Sequence, residues 1–156
     1  MGAICHQVFQ DESFMLLTPL LHPGILAALA RSGHGSRVLI ADGNYPLANG
    51  AAASAERVYL NLRPGLVQVT EVLSVLVATI PIESVLLMTP PDGQAVPIHG
   101  EFRAILPAGA LIRTETRGNF YDQARSADTT LAIATGESRR FANLLLTIGV
   151  VKNEAP

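Results

Sequence analysis

Cysteine is almost missing from this chain of 156 residues. Cys5 stands alone, so no disulfide can close within the chain and no second thiol completes a redox or zinc motif; the expected home is the cytoplasm. Tryptophan is absent and aromatic residues make up 5% of the sequence. That composition argues against aromatic-rich sandwich strands and for a sheet covered by helices. Charge is sparse too, with 15% charged residues and a net charge of −2. The Lys and Arg residues are scattered singly, which leaves no electrostatic stripe for a phosphate backbone, and no nucleic-acid partner is expected. No run approaches the roughly 20 apolar residues of a membrane span. Residues 1–14 mix His, Gln, Asp and Glu where a signal peptide needs a basic start and an apolar stretch, so neither export nor a membrane role is expected. A lysine-bearing phosphate loop, Gly-x-Ser-x-Gly and His-Glu-x-x-His are all missing, which disfavours phosphoryl transfer, serine hydrolysis and a zinc site.

What the chain does have is aliphatic core. Apolar residues reach 49%, and a thin coat of charge over such a supply suits a protein that hides surface against copies of itself. The length fits one domain.

Residues 1–14 show no period and read as an extension that is loosely ordered or packs on a neighbouring subunit. Residues 23–30 carry apolar side chains at helical spacing, with Pro23 in the first turn, His22 at its head and Gly33 beyond its end. Residues 37–42 then read as a buried strand ending in Asp42, followed by the turn residues Gly43, Asn44, Tyr45 and Pro46. A second strand is expected over 58–62 and a helix from Arg63-Pro64-Gly65 to about Thr79, closed by Pro81. A strand over 84–89, a turn at 90–93, a short helix over 101–106 and a strand over 111–115 follow. The rest reads as a helix over 119–125, a strand over 129–135 and a last extended segment over 141–148. Strands alternating with helices predict α/β architecture, a three-layer αβα sandwich on a largely parallel or mixed sheet. Ligands in such sheets gather at strand ends, where Asp42 and the loop at Gly136 fall.

Two groups of polar residues stand out. His34, between Gly33 and Gly35, precedes the strand that Asp42 ends. An extended strand of that length spans roughly 20–25 Å, so the two cannot meet within one chain unless it bends; otherwise a neighbouring chain joins them or they serve different sites. For His34 the competing roles are acid–base chemistry and a solvent-exposed cap, and for Asp42 ligand binding and an ordinary turn. In the second group, Arg117 and Tyr121 are four residues apart and can share a helix face, while Asn143 sits at the mouth of the apolar run Leu144-Leu145-Leu146. Glu137, Arg139 and Arg140 read as a solvated charge cluster. His99 has no interpretable neighbours.

In order, these pieces resemble the L-fucose mutarotase and D-ribose pyranase family over about residues 17–152. The resemblance is carried by Ser32-Gly33-His34-Gly35, Ile40-Ala41-Asp42-Gly43-Asn44-Tyr45-Pro46, Arg117-Gly118-Asn119-Phe120-Tyr121, Thr135-Gly136-Glu137 and Phe141-Ala142-Asn143-Leu144-Leu145-Leu146 with Gly149-Val150. It implies a sugar mutarotase domain over 15–156, an isomerase that interconverts ring forms of a monosaccharide substrate by acid–base ring opening, without cofactor or metal. It implies His34 as the catalytic proton donor, Asp42, Arg117 and Asn143 as sugar contacts, and a homodecamer built from pentamers; the phenol of Tyr121 is the candidate second proton carrier on its own chemistry. Arg117 followed by an aromatic-Tyr pair is similar to the L-fucose branch; the ribose branch tends to have His there. Phe141 stands in the substrate site where the family usually has Tyr, and residues 90–109 are shorter and more irregular than the family pattern. The alternatives are a D-ribose pyranase and a sugar-binding or transport accessory protein without catalysis.

Overall fold

The computed structural model describes residues 16–152, so the expected 1–14 extension lies outside the described residues. Six strands form one mixed sheet in the order β2-β5-β1-β6-β3-β4. They are β1 (Arg37–Ala41), β2 (Glu56–Tyr59), β3 (Ile82–Thr89), β4 (Leu111–Thr116), β5 (Thr129–Ala134) and β6 (Leu144–Ile148). Four helices join them: α1 (Pro23–Arg31), α2 (Val69–Val77), α3 (Ile98–Ile105) and α4 (Arg117–Ala124). The β1/β5, β2/β5 and β3/β4 pairs are parallel, and β6 runs antiparallel to both β1 and β3. Five strands therefore deliver their carboxyl ends to one edge of the sheet, and β6 brings its amino end to the same edge.

The strands alternate between two buried faces, as period-2 geometry requires. Val38, Ile40, Leu131, Ile133, Leu144 and Leu146 join the larger core, with residues of α1, α2 and α3. Leu39, Ala41, Ala132, Ala134 and Leu145 face the other way, under Phe120 and Ala124 of α4 and the alanine-rich segment around residues 47–55. Small alanines on this second face let a loop lie close to the sheet beside α4. The αβα arrangement expected from the sequence is thus present, with one face covered by three helices and the other by one helix and a loop.

Several boundaries differ from the sequence expectation for identifiable reasons. His22 caps α1 as read, its Nδ1 accepting from the Ile25 N–H at 3.3 Å. The second strand lies at Glu56–Tyr59, earlier than 58–62. The helix expected from Arg63 starts only at Val69. Arg63 and Leu66 close a tight turn on each other, Gly65 takes φ +80°, and its N–H donates to Gly136 at 2.6 Å. Pro64 here serves a turn, and α2 begins where Glu71 reaches back to the Gln68 N–H at 2.6 Å. Helix α3 opens three residues ahead of the predicted 101–106, bringing His99 onto it. Helix α4 follows β4 without a connecting loop. The predicted 141–148 strand begins only at Leu144, because Phe141 turns into the left-handed region at φ +58°.

Candidate functional site

The shared strand edge concentrates polar groups. Asp42 follows β1, Arg117 follows β4 as the first residue of α4, and Asn143 immediately precedes β6. Along the sheet β6 lies between β1 and β3, so residues distant in sequence converge here. They line one open cavity of about 350 Å³ together with Asn44, Tyr45, Met88, Tyr121, Arg140 and Phe141.

Asp42 and Asn143 form its buried floor; both are almost completely covered. The Asn143 Oδ1 accepts from the Asp42 N–H at 2.8 Å, and its Nδ2 donates to Asp42 Oδ2 at 3.0 Å. The same oxygen accepts from the Ala142 N–H at 3.3 Å, while Oδ1 accepts from the Asn44 N–H at 3.0 Å. Burial pushes the Asp42 carboxyl above the ordinary carboxylate range, only partly offset by the donors around it. The result is a fixed carboxyl group lining the cavity, whose Oδ2 already accepts two hydrogen bonds and Oδ1 one, so that Oδ1 keeps capacity to accept from a hydroxylated ligand.

The walls come from α4 and the turn after β1. Arg117 and Tyr121 lie one turn apart on α4, as their spacing predicts, and both reach the cavity. The Arg117 guanidinium lies over the Phe141 ring, 5.3 Å from its centroid. Tyr45 packs edge-on against Tyr121 at 4.9 Å and Phe120 at 6.2 Å, and its hydroxyl donates to the Gly50 carbonyl at 2.6 Å. Burial pushes the Tyr45 phenol well up from its usual value, so it is a packing and donor group.

Glu137 corrects the reading of a solvated charge cluster. Its side chain is buried and paired with Arg139, Nε to Oε1 at 2.9 Å and Nη2 to Oε2 at 3.0 Å, while Arg139 Nη1 reaches Glu101 of α3 at 2.7 Å. Burial would raise the Glu137 carboxyl, but hydrogen bonds from Arg139 and from the Val69 backbone bring it below the usual range. Gly136 before it admits no side chain, since a Cβ there would collide with the Leu66 and Arg63 carbonyl oxygens. This bidentate pair holds the loop that presents Phe141 and Asn143.

Five of the six residues singled out from the sequence, Asp42, Arg117, Tyr121, Phe141 and Asn143, therefore share the cavity. His34 does not. It precedes β1 at the opposite sheet edge, where Nε2 meets Glu83 Oε2 at 2.7 Å and the Gly35 N–H donates to Ile148. His34 and Asp42 flank β1 at opposite ends, and only Asp42 lines the cavity. Sequence reasoning did not single out Tyr45, Asn44, Met88 and Arg140 as site residues. Tyr45 and Asn44 sit directly after Asp42, in a turn whose position at a strand end was the available signal; Met88 at the end of β3 had none. Among the described residues no cluster of three His, Cys, Asp or Glu side chains is placed to hold a metal ion, and no helix is long and apolar enough to cross a membrane.

Fold and cavity together define a small α/β protein with a polar site at the carboxyl edge of a mixed sheet. The chain belongs to the RbsD / FucU transport protein family, which it matches over residues 15–151. It is similar to the human fucose mutarotase, 29% identical over 145 residues that cover 85% of this chain and 90% of that one. It is also similar to a D-ribose pyranase of Variovorax paradoxus, 31% identical over 136 residues covering 87% and 98%. The solved structure of Bacillus subtilis RbsD complexed with D-ribose superposes with a TM-score of 0.74 at 25% identity, covering 88% of this chain and all of that one. Mutarotase and pyranase both denote isomerases of sugar forms, and the chain is an enzyme of that class.

Proposed function

We propose that this protein interconverts the ring forms of free L-fucose or a closely related monosaccharide in the cytoplasm, with D-ribose as the second candidate substrate. The observation that carries the proposal is the cavity in which the buried Asp42–Asn143 pair faces Arg117 and Tyr121. Its volume of about 350 Å³ is at the small end of the range for small-molecule sites, roughly 300–1,000 Å³. Carboxylate, amide, guanidinium and phenol groups around one small space offer both donors and acceptors to several hydroxyls at once.

The reaction needs proton movement alone. A proton delivered to the ring oxygen and another removed from the anomeric hydroxyl open the ring to the aldehyde; reclosure from the other face reverses both transfers. In this reading Asp42 fixes the sugar by accepting from its hydroxyls, Arg117 and Asn143 grip remote hydroxyls, and Tyr121 relays a proton. Phe141 offers an apolar face where a tyrosine would offer a hydroxyl.

His34 supplies the acid from a neighbouring copy, because its own chain holds it at the far edge of the sheet. A homodecamer built from pentamers is the assembly we propose to complete the site. The exposed Tyr59, Leu62, Leu111, Val150 and Val151 support self-association, since each leaves apolar surface uncovered in the single chain. Arg117 favours L-fucose, and D-ribose is retained because a fucose mutarotase and a D-ribose pyranase match the chain at similar identity, 29% and 31%.

Saturation-transfer NMR on the anomeric protons of L-fucose and D-ribose tests the proposal, with wild type and His34→Ala at equal concentration. The expected result is accelerated exchange in wild type that falls on the order of 10²–10⁴-fold in the variant. Full activity in the variant removes His34 from the mechanism. Binding without acceleration makes the protein an accessory sugar binder.

A further inference from the structure

We propose that His99, which does not line the cavity, is a positioning residue that sets the shape of the sugar site by holding the peptide of Phe141 in its left-handed turn. The proposal rests on the reading of the cavity as a sugar site and extends it to a residue outside that cavity.

Phe141 is the only non-glycine residue with positive φ among the described residues, at +58°. A side chain with a Cβ rarely adopts this conformation unless its surroundings impose it. Those surroundings are visible on both sides of the loop. Toward the sheet, the Ala142 N–H and the Asn143 amide bind Asp42. On the other side α3 grips the loop twice. Glu101 pairs with Arg139 at 2.7 Å, and two residues earlier on the helix His99 Nε2 lies 3.1 Å from the Phe141 carbonyl oxygen. A carbonyl only accepts, so Nε2 carries the proton and donates. His99 is buried, its ring stacks on Phe102 at 5.9 Å and 30°, and its own carbonyl accepts from Arg103. Burial and the nearby Arg103 keep the imidazole neutral at lower pH than usual, which preserves one defined donor.

The consequence reaches the cavity through Phe141. With its carbonyl held by His99, the residue directs its ring under Arg117 and leaves the next two residues to bind Asp42. A flipped peptide would displace both the ring and the guanidinium stacked on it. The effect falls on sugar binding more than on proton transfer, because His99 touches neither the cavity nor the reacting atoms.

The test uses His99→Leu, which keeps bulk beside Phe102 but has no donor, and His99→Gln, whose amide can still donate. For the better of L-fucose and D-ribose, His99→Leu is expected to raise KM roughly tenfold, the scale of a buried carbonyl left without its donor. kcat changes by less than about threefold and His99→Gln recovers most of the loss. The decisive comparison adds Phe141→Gly, because glycine adopts positive φ without imposed support. In that background His99→Leu should change KM by less than about twofold, against tenfold with Phe141 present. An equal effect in both backgrounds, or an unchanged KM in a folded His99→Leu protein, overturns the proposal. If wild type accelerates neither sugar, the sugar reading fails on its own; a crystal structure of His99→Leu then decides the positioning role. A retained φ near +58° at Phe141 in that structure refutes it.

Discussion

Replacing Asn143 by Asp converts the buried amide–carboxylate pair into two carboxyls in contact, and the structure sets the size of the effect. The Oδ1 that accepts the Asp42 N–H at 2.8 Å keeps its role, but the group 3.0 Å from Asp42 Oδ2 changes from donor to acceptor. If both carboxyls stayed ionised, two charges at that separation would repel by about 5–6 kcal/mol at an effective dielectric of about 20. Retaining one shared proton costs less. Holding a carboxyl of ordinary pKa near 4 protonated at pH 7 costs about 4 kcal/mol, at about 1.4 kcal/mol per pH unit. Asn143→Asp should therefore lose about 4 kcal/mol of stability at pH 7 and regain about 1.4 kcal/mol for each unit that the pH falls toward 5. Thermal and urea unfolding of variant and wild type at one protein concentration, at pH 5, 6, 7 and 8, measure this difference. A variant as stable as wild type at pH 7, or a deficit that does not change with pH, would refute the placement of the Asn143 amide on the Asp42 carboxylate.

Gly136→Ala should destabilise the protein by about 1–3 kcal/mol, because the added methyl meets the Leu66 and Arg63 carbonyls and the turn must shift; denaturant titration checks it, and a neutral result would mean that the turn yields freely. His99 predicts an acid-side loss of stability. Its folded-state pKa lies below the usual value, so between the two values the unfolded chain binds a proton that the folded chain does not. Stability therefore falls as the pH drops below about 6.5 and levels off beneath the lowered folded-state value. His99→Leu should flatten that limb in the same pH series, and an unchanged slope would assign it to other groups.

How much of this was legible in the sequence can be judged from individual residues. The segment 37–42 was readable as a buried strand because its aliphatic run ends at a carboxylate and turn residues, and Arg117 with Tyr121 because a four-residue spacing is one helical turn. Those are local signals, carried by side-chain type and periodicity. The turn at residues 63–66 was not legible: Arg63-Pro64-Gly65 resembles a helix start, and only contact with Gly136, about seventy residues away, makes it a turn. Glu137 looked solvated because nothing nearby in sequence reveals that its loop folds inward.

The sequence by itself determined the α/β class, the strand end at Asp42 and the helical pairing of Arg117 with Tyr121. Each rests on interactions within about one turn or one strand. Tertiary structure decided the rest. The position of antiparallel β6 between β1 and β3 brings Asn143 onto Asp42, α3 places His99 against Phe141, and β1 keeps His34 at the opposite edge. These facts depend on strand order and on which distant backbone groups satisfy one another, and neither is written in any single stretch of the chain.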